Sequence, residues 1–293
     1  MRIITFSCEG KESVGILNTD GTQIAPVSAF GLPYADMNEL ITKLTAEEKV
    51  RLMSAEESSF TLAADQVSIL SPIPRPKQDV ICLGLNYTEH ANEAALYSRD
   101  AFTKKDVRHA VYFSKRVNNS PGPDAVIPAY EGLVDRLDYE AELAVIIGKD
   151  AFCVSREEAK DYIFGYTVLN DVSARNLQTA HTQWYFGKSL DGFTPMGPAV
   201  TTADEIPFPP RLKISCRVND ELRQNSTTDM LITGIDMIIE ELSKGMTLQA
   251  GTIIATGTPK GVGMGFDPPR WLKKGDVVEC EIEKIGVLRN RIG

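Results

Sequence analysis

The sequence predicts a β-rich α+β fold. Apolar runs of strand length recur along its 293 residues, at 80–83, 111–113, 142–147 and 163–169. Residues 277–282 alternate apolar and acidic side chains, which is typical of a strand with one exposed face. Because the strands are many and short while helical patterns are few, a doubly wound parallel sheet is disfavoured.

The N-terminal segment has the pattern of a small β-rich module. Residues 2–6, 14–17 and 22–25 are strand-like, and a turn at 18–21 separates the last two. Residues 36–53 then hold a helical pattern.

A proline-rich segment marks the predicted boundary between the two units. Pro72, Pro74 and Pro76 stand at alternate positions. Neither a helix nor a central strand continues through such a run, because proline lacks a backbone N–H group and fixes φ. We therefore predict a small N-terminal domain at residues 1–68 and a larger domain at 69–293.

A longer helix is predicted near the C-terminal end, over residues 229–244, with Gly245 just past its end. Its apolar residues recur at helical spacing and share one face. They are Leu231, Ile235, Ile238 and Leu242.

Composition limits the classes of partner. Lys and Arg number 31 against 40 Asp and Glu, a net charge of −9 that disfavours nucleic acid or an anionic membrane. The five cysteines are odd in number and lack CxxC spacing, so neither a disulfide framework nor a structural zinc site is expected. There is no apolar run of spanning length and no apolar signal segment, so we expect a cytoplasmic protein.

An acidic strand is the first candidate site. With period-two alternation, Glu140 and Glu142 share one face, and Asp138 falls on it too. Three neighbouring carboxylates repel one another unless a cation or solvent compensates. Hard oxygen ligands suit Mg²⁺, Mn²⁺ or Ca²⁺ better than zinc. A solvated acidic strand face explains the same residues equally well.

Two further candidates follow along the chain. Asp171, Arg175 and Gln178 are spaced i, i+4 and i+7, hence on one helical face, where Asp171 suits a third metal ligand and Arg175 a bound carboxylate. The simpler interpretation is a helix-capping Asp paired with Arg175. Lys188, between glycine and serine, is either an exposed lysine or a buried charge that stabilises an oxyanion.

His90 and Glu93 lie one helical turn apart, so the carboxylate can orient the imidazole as a base for water. A surface His beside a Glu is the alternative. The segment 256–263 is a Gly-rich turn in which the Lys–Gly order excludes a Walker A loop and no dinucleotide fingerprint follows. We expect its amides and the Thr258 hydroxyl to face a ligand.

Taken in order, these segments resemble the fumarylacetoacetate hydrolase family over roughly residues 70–293. The segments are CLGLNYTEHANE (82–93), YEAELAVIIG (139–148), NDVSARNLQ (170–178), GKSLDGFTPMG (187–197) and TGTPKGVG (256–263). The resemblance implies a mixed β-sandwich roll, a homodimer and a small anionic 2-oxo acid as substrate. One departure is the stretch between Glu93 and Val111, which includes Tyr97, Arg99, Lys104, Lys105 and His109 and is longer than in compact members. It leaves the lid geometry and substrate size open.

The resemblance also implies a role for each candidate residue. Glu140, Glu142 and Asp171 would hold Mg²⁺ or Mn²⁺, with Ca²⁺ as a substitute in crystals. His90 and Glu93 would activate water, and Lys188 would assist at the developing negative charge. The substrate site would be lined by Arg175, Gln178 and Thr258.

Several reactions are compatible with one metal-stabilised enolate. C–C hydrolysis of an acylpyruvate or fumarylpyruvate is favoured because the His90–Glu93 pair is present. The alternatives are oxaloacetate decarboxylation or tautomerisation, and isomerisation of the 2-hydroxyhepta-2,4-diene-1,7-dioate type in aromatic degradation. A non-catalytic family member is disfavoured, because every expected acid, base and ligand is present.

Overall fold

A computed structural model of the protein describes residues 1–97 and 109–293. The strands are β1 Arg2–Cys8, β2 Lys11–Leu17, β3 Gln23–Pro26, β4 Leu62–Ala63, β5 Ser68–Ile69, β6 Val80–Gly84, β7 Val111–Lys115, β8 Val126–Ile127, β9 Leu137–Asp138, β10 Ala141–Ile147, β11 Ile163–Asn170, β12 Ser173–Ala174, β13 Met196–Thr202, β14 Lys213–Val218, β15 Glu221–Thr227, β16 Ile253–Ala255, β17 Val277–Ile282 and β18 Gly286–Ile292. The helices are α1 Met37–Lys43, α2 Ala46–Met53, α3 Thr88–Tyr97, α4 Arg175–Ala180, α5 Tyr185–Lys188 and α6 Ile235–Ser243.

The described strands form three sheets. The largest has eleven strands in the order β4-β3-β2-β1-β13-β11-β10-β16-β6-β7, with β5 paired to β1. A second sheet has the order β15-β14-β17-β18-β8, and β12 pairs with β9. Most pairs are antiparallel, whereas β16–β6 and β18–β8 are parallel. The predicted β-rich α+β class, with a mixed β-sandwich, is confirmed.

Strand β10 lies at the centre of two hydrophobic cores. Leu143, Val145 and Ile147 point into the core shared with β14, β17 and β18 of the five-stranded sheet. Ala144 and Ile146 point into the other core, which the N-terminal strands and helices α1 and α2 cover. Every residue of β10 is therefore buried, and the predicted alternation of side chains along it is confirmed.

The N-terminal strands extend the large sheet. Arg2 pairs with Thr201 and Ile3 with Val200, so β1 hydrogen-bonds to β13. The segment around Pro72 is buried, and its carbonyl accepts a hydrogen bond of 2.7 Å from Thr5 Oγ1. The division into domains at residues 1–68 and 69–293 remains a prediction.

The helix predicted over 229–244 is shorter in the structure and begins at Ile235. The N–H groups of Ile232 and Thr233 donate to the backbone and side-chain oxygens of Asn86, each at 2.8 Å. Because those N–H groups are already bonded to another segment, the helix starts after them. Among the described residues, no helix is both long and apolar enough to cross a bilayer.

The fold leaves no room for a side chain at Gly165, where β11 passes β13. A Cβ atom there would lie 2.4 Å from the Thr201 carbonyl oxygen. We expect Gly165→Ala to destabilise the protein by about 2 kcal/mol or more, because backbone must move to relieve the clash. Gly245→Ala is the matched control, since a Cβ there meets nothing within 4 Å. Urea unfolding curves measure both, and equal midpoints would contradict the expectation.

Candidate active site and metal centre

A cavity of about 60 Å³ opens beside the end of β10, which is enough for several waters or a hydrated ion. Seven of the nine predicted site residues line it: His90, Glu140, Glu142, Arg175, Gln178, Lys188 and Thr258. Each of the other two is hydrogen-bonded to a residue that lines the cavity: Glu93 to His90, and Asp171 to Lys188. The structure thus brings all nine together from five separate segments.

Three buried carboxylates form an acidic cluster. One oxygen from each of Glu140, Glu142 and Asp171 lies within 4.8 Å of the others. The strand register explains this, because Ala141 of β10 pairs with Asn170 of β11. Glu140 and Asp171 flank this pair and are joined by a hydrogen bond of 2.8 Å from the Asp171 N–H to the Glu140 carbonyl.

Two predicted cations neutralise part of this cluster. Lys188 Nζ donates to Glu140 Oε2 and Asp171 Oδ2, both at 2.8 Å. Arg175 donates to Glu140 Oε1 at 2.5 Å and to Gln178 Oε1 at 2.9 Å. Asp171 does not cap the helix as the simpler interpretation expects, because α4 begins at Arg175 with Ala174 as its N-cap.

Asp138 contacts the same guanidinium as Glu140, that of Arg175. It accepts hydrogen bonds from the N–H groups of Gly263 at 2.6 Å and Met264 at 3.0 Å, and from Arg175 Nε at 2.9 Å. Asp138 therefore fixes Arg175 and the Gly-rich turn, and it is not one of the three carboxylates that lie within 4.8 Å of one another.

Sequence reasoning missed Lys115, the last residue of β7. Its side chain is fully buried, and Nζ donates to Asp171 Oδ1 at 2.5 Å and to the Val172 carbonyl at 3.1 Å. A single lysine at the end of an apolar strand has no recognisable motif. Phe113 and Trp184, whose rings meet edge to face at 5.3 Å on the cavity wall, were missed for the same reason.

The charges of the buried groups do not balance. With every group ionised, the four carboxylates outnumber the three cations by one. The carboxylates are Asp138, Glu140, Glu142 and Asp171, and the cations are Lys115, Arg175 and Lys188. A divalent cation reverses the sign of this cluster and prepares it for an anionic ligand. The oxygen donor set and the surplus negative charge therefore fit a hard divalent ion.

The cluster separates the pKa values of its two glutamates. Burial, reinforced by the charges of Asp171 and Glu140, raises the pKa of Glu142 well above its ordinary value. Burial acts in the same direction on Glu140, but Lys188 and Arg175 outweigh it, so the pKa of Glu140 falls. The two glutamates of the cluster thus have pKa shifts of opposite direction.

His90 and Glu93 form the predicted pair on α3. His90 Nδ1 lies 3.0 Å from Glu93 Oε2, and Glu93 Oε1 accepts a hydrogen bond of 3.0 Å from the Gly261 N–H. The glutamate thereby joins α3 to the Gly-rich turn. Because Nδ1 faces Glu93, Nε2 is the nitrogen left to exchange a proton at the cavity.

The Thr258 hydroxyl is already used within the fold. It donates to the Ala141 carbonyl at 2.9 Å and accepts from Gln224 Nε2 at 2.8 Å. Thr258 lines the cavity, and its contact with a substrate remains a prediction. Of the predicted lid stretch between Glu93 and Val111, residues 98–108, which include Arg99, Lys104 and Lys105, lie outside the described residues.

The fold and this site define the class of the protein, a β-sandwich protein with a buried acidic cluster that could hold a metal ion. The family model for the fumarylacetoacetate (FAA) hydrolase C-terminal domain matches residues 79–293. The chain therefore belongs to the fumarylacetoacetate hydrolase family, as the sequence segments predict.

Relatives within the family are named for different activities. The chain is 45% identical to oxaloacetate tautomerase YisK of Bacillus subtilis (strain 168), over 81% of this chain and 77% of the relative. It is 34% identical to a fumarylacetoacetate hydrolase from Exiguobacterium antarcticum, with a TM-score of 0.85 and coverage of 100% and 99%. It is 31% identical to maleylpyruvate hydrolase from Sphingobium sp. SYK-6, solved with manganese(II) and pyruvate, with a TM-score of 0.77 and coverage of 100% and 98%.

The raised pKa of Glu142 predicts a stability that depends on pH. Such a carboxyl group contributes most below its ordinary pKa, and the contribution is lost as the pH rises through its folded value. In EDTA at pH 8, we expect Glu142→Gln to raise the melting temperature, by roughly 2–4 °C per kcal/mol of relief. At pH 5 the difference should be much smaller, because most of the loss occurs above that pH.

Differential scanning fluorimetry across this pH range makes the measurement, with the exposed Glu281→Gln as the matched control. A gain in stability that is the same at pH 5 and pH 8 would show that ionisation of Glu142 is not its source. Added Mg²⁺ or Mn²⁺ should stabilise the wild type and not Glu142→Gln.

Proposed function

We propose that this protein is a divalent-metal-dependent enzyme that converts a small anionic 2-oxo acid through its enolate. One observation supports this above all: Glu140, Glu142 and the His90 imidazole face the same cavity. That arrangement places carboxylates that would hold a cation, which stabilises negative charge, beside a group that can move a proton. Enolate formation needs both at once.

The proposed metal ligands are Glu140, Glu142 and Asp171, and the ion is Mg²⁺ or Mn²⁺. An ion held there would act as a Lewis acid toward the keto oxygen of the substrate. Carboxylate oxygens suit either ion, and the manganese complex of the Sphingobium relative favours the same choice. Ca²⁺ is expected as a substitute in crystals.

The remaining residues have roles that follow from their contacts. Nε2 of His90 takes the proton from substrate carbon or from water, and Glu93 holds the ring in place. Lys188 lines the cavity and bears a positive charge beside the oxygen that gains negative charge. Arg175, with Gln178 and Thr258, contacts the substrate carboxylate, because a guanidinium group binds it through paired hydrogen bonds.

Oxaloacetate keto–enol tautomerisation is the first candidate reaction. The base removes a proton from C3, the electron pair moves to the C2 oxygen, and that oxygen then receives a proton. The relative at 45% identity supports this choice. Decarboxylation of oxaloacetate instead breaks the C3–C4 bond, releases CO₂ and leaves the enolate of pyruvate, so it too needs a site that stabilises an enolate.

C–C hydrolysis of an acylpyruvate or fumarylpyruvate is the second candidate, and the sequence patterns favour it. Here His90 activates a water that attacks the second carbonyl carbon, and an enolate leaves. The two hydrolase structures support this reaction. The third candidate is an isomerase of aromatic degradation. The chain is 31% identical to a probable 2-hydroxyhepta-2,4-diene-1,7-dioate isomerase from Mycobacterium abscessus, which supports it.

Two proposals concern the protein in the cell. We propose a homodimer, on the family resemblance, and a cytoplasmic location. The net charge of −9 supports the further proposal that neither nucleic acid nor a membrane is a partner. Light scattering of the purified protein tests the assembly, because a dimer has twice the mass of 32.2 kDa.

A substrate screen should separate the reactions. Purified protein with Mg²⁺ or Mn²⁺, and with EDTA as control, is given oxaloacetate, acylpyruvates, fumarylpyruvate and fumarylacetoacetate. Ultraviolet absorbance follows the enol, and chromatography identifies products. We expect metal-dependent loss of the oxaloacetate enol band without carbon loss. Cleavage products from the acylpyruvates would instead establish the hydrolase, and no turnover of any compound would contradict the proposal.

His90→Gln tests the proton-transfer role. Because general acid–base catalysis contributes about 10²–10⁴-fold, we expect kcat to fall by that factor while metal affinity changes less than about threefold. The exposed His181→Gln is the matched control and should keep full activity. If His90→Gln keeps wild-type kcat, His90 is not the base.

A further inference from the structure

Each of the three clustered carboxylates has one oxygen that accepts a hydrogen bond from a donor of the surrounding protein. The bonds are Arg175 Nη2 to Glu140 Oε1 at 2.5 Å, the Gly257 N–H to Glu142 Oε2 at 2.8 Å, and Lys115 Nζ to Asp171 Oδ1 at 2.5 Å. The donors come from three different segments, and all are buried. None of the three carboxylates can therefore turn both oxygens freely toward one ion.

The remaining oxygens of two of them point toward a common cation. Glu140 Oε2 and Asp171 Oδ2 both lie 2.8 Å from Lys188 Nζ. This ammonium group marks a position at which a positive charge contacts one oxygen from each carboxylate. The cluster is thus arranged for single-oxygen contacts with a cation.

Ions differ in how they use such oxygens. Mg²⁺ requires near-ideal octahedral geometry and short bonds, which single oxygens supply. Ca²⁺ takes six to eight ligands and readily binds both oxygens of one carboxylate. A residue that keeps one carboxylate oxygen occupied therefore favours the smaller ion.

We propose that Lys115 is a positioning residue that holds Asp171 in the single-oxygen arrangement and so sets the preference for Mg²⁺ over Ca²⁺. This inference rests on the proposed metal centre. Lys115 is suited to the role because it is fully buried and is itself fixed by a second bond, to the Val172 carbonyl. It does not line the cavity, so it acts through Asp171 rather than on the substrate.

Substitution of Lys115 separates this role from the others. In Lys115→Met, Asp171 Oδ1 loses its donor and the carboxylate can present both oxygens. Lys115→Gln keeps an N–H donor without the charge. Lys260→Met is the matched control, because this lysine is exposed and pairs only with the exposed Glu89 among the described residues. Glu142→Gln serves as the reference for loss of a ligand.

Isothermal titration with MgCl₂ and with CaCl₂ measures the two affinities, and thermal unfolding in EDTA checks that each variant folds. Residues that orient metal ligands typically change metal affinity about 10–100-fold. We expect Lys115→Met to weaken Mg²⁺ by at least tenfold and Ca²⁺ by less than about threefold. Lys115→Gln should recover part of the preference, and Lys260→Met should match the wild type.

Two results would overturn the inference. If Lys115→Met changes both affinities by the same factor, the lysine acts through its charge or through folding. If neither affinity changes, the hydrogen bond from Lys115 to Asp171 has no role in metal binding. Should Lys115→Met fail to fold, the Mg²⁺ to Ca²⁺ ratio of Lys115→Gln decides. A wild type that binds neither ion would refute the metal centre itself, which is a separate failure from that of Lys115.

Discussion

The burial of four carboxylates beside three cations is the constraint on which this structure depends. Moving a single charge from water into a protein interior costs several kcal/mol, and only close pairing offsets that cost. Each of Asp138, Glu140 and Asp171 is therefore in contact with an arginine or a lysine. Glu142 has no such ion pair among the described residues, and burial, together with the charges of Asp171 and Glu140, raises its pKa.

The sandwich holds these charges in place because β10 is packed on both faces. A shift of one residue in register would turn Glu142 into the opposite, apolar core, so the packing of that core opposes the shift. A close approach of α5 to α4 serves the same end. A Cβ atom at Gly187 would lie 2.5 Å from the Gln178 nitrogen, so glycine lets Lys188 reach both carboxylates.

One charged centre is compatible with the different activities of the relatives. Tautomerisation, decarboxylation and hydrolysis each pass through an enolate. In each case the proposed metal ion and the neighbouring cations would stabilise its negative charge. Phe113 and Trp184 also line the cavity, and the Phe113 ring lies 5.2 Å from Lys188 Nζ, so apolar surface adjoins the charged centre.

The sequence by itself determined the fold class and the residue types of the site. Period-two alternation put Glu140 and Glu142 on one face, and the spacing of His90 and Glu93 implied their contact, because both are local relations. Lys115 and the partners of Asp138 could not be found in this way, since β7 and the Gly-rich turn reach the cluster only through long-range pairing. The helix at 229–244 was predicted too long for the same reason: Asn86, distant in sequence, binds the N–H groups before Ile235. Local patterns specify which residues are available, and only the tertiary structure decides which of them share a buried charge.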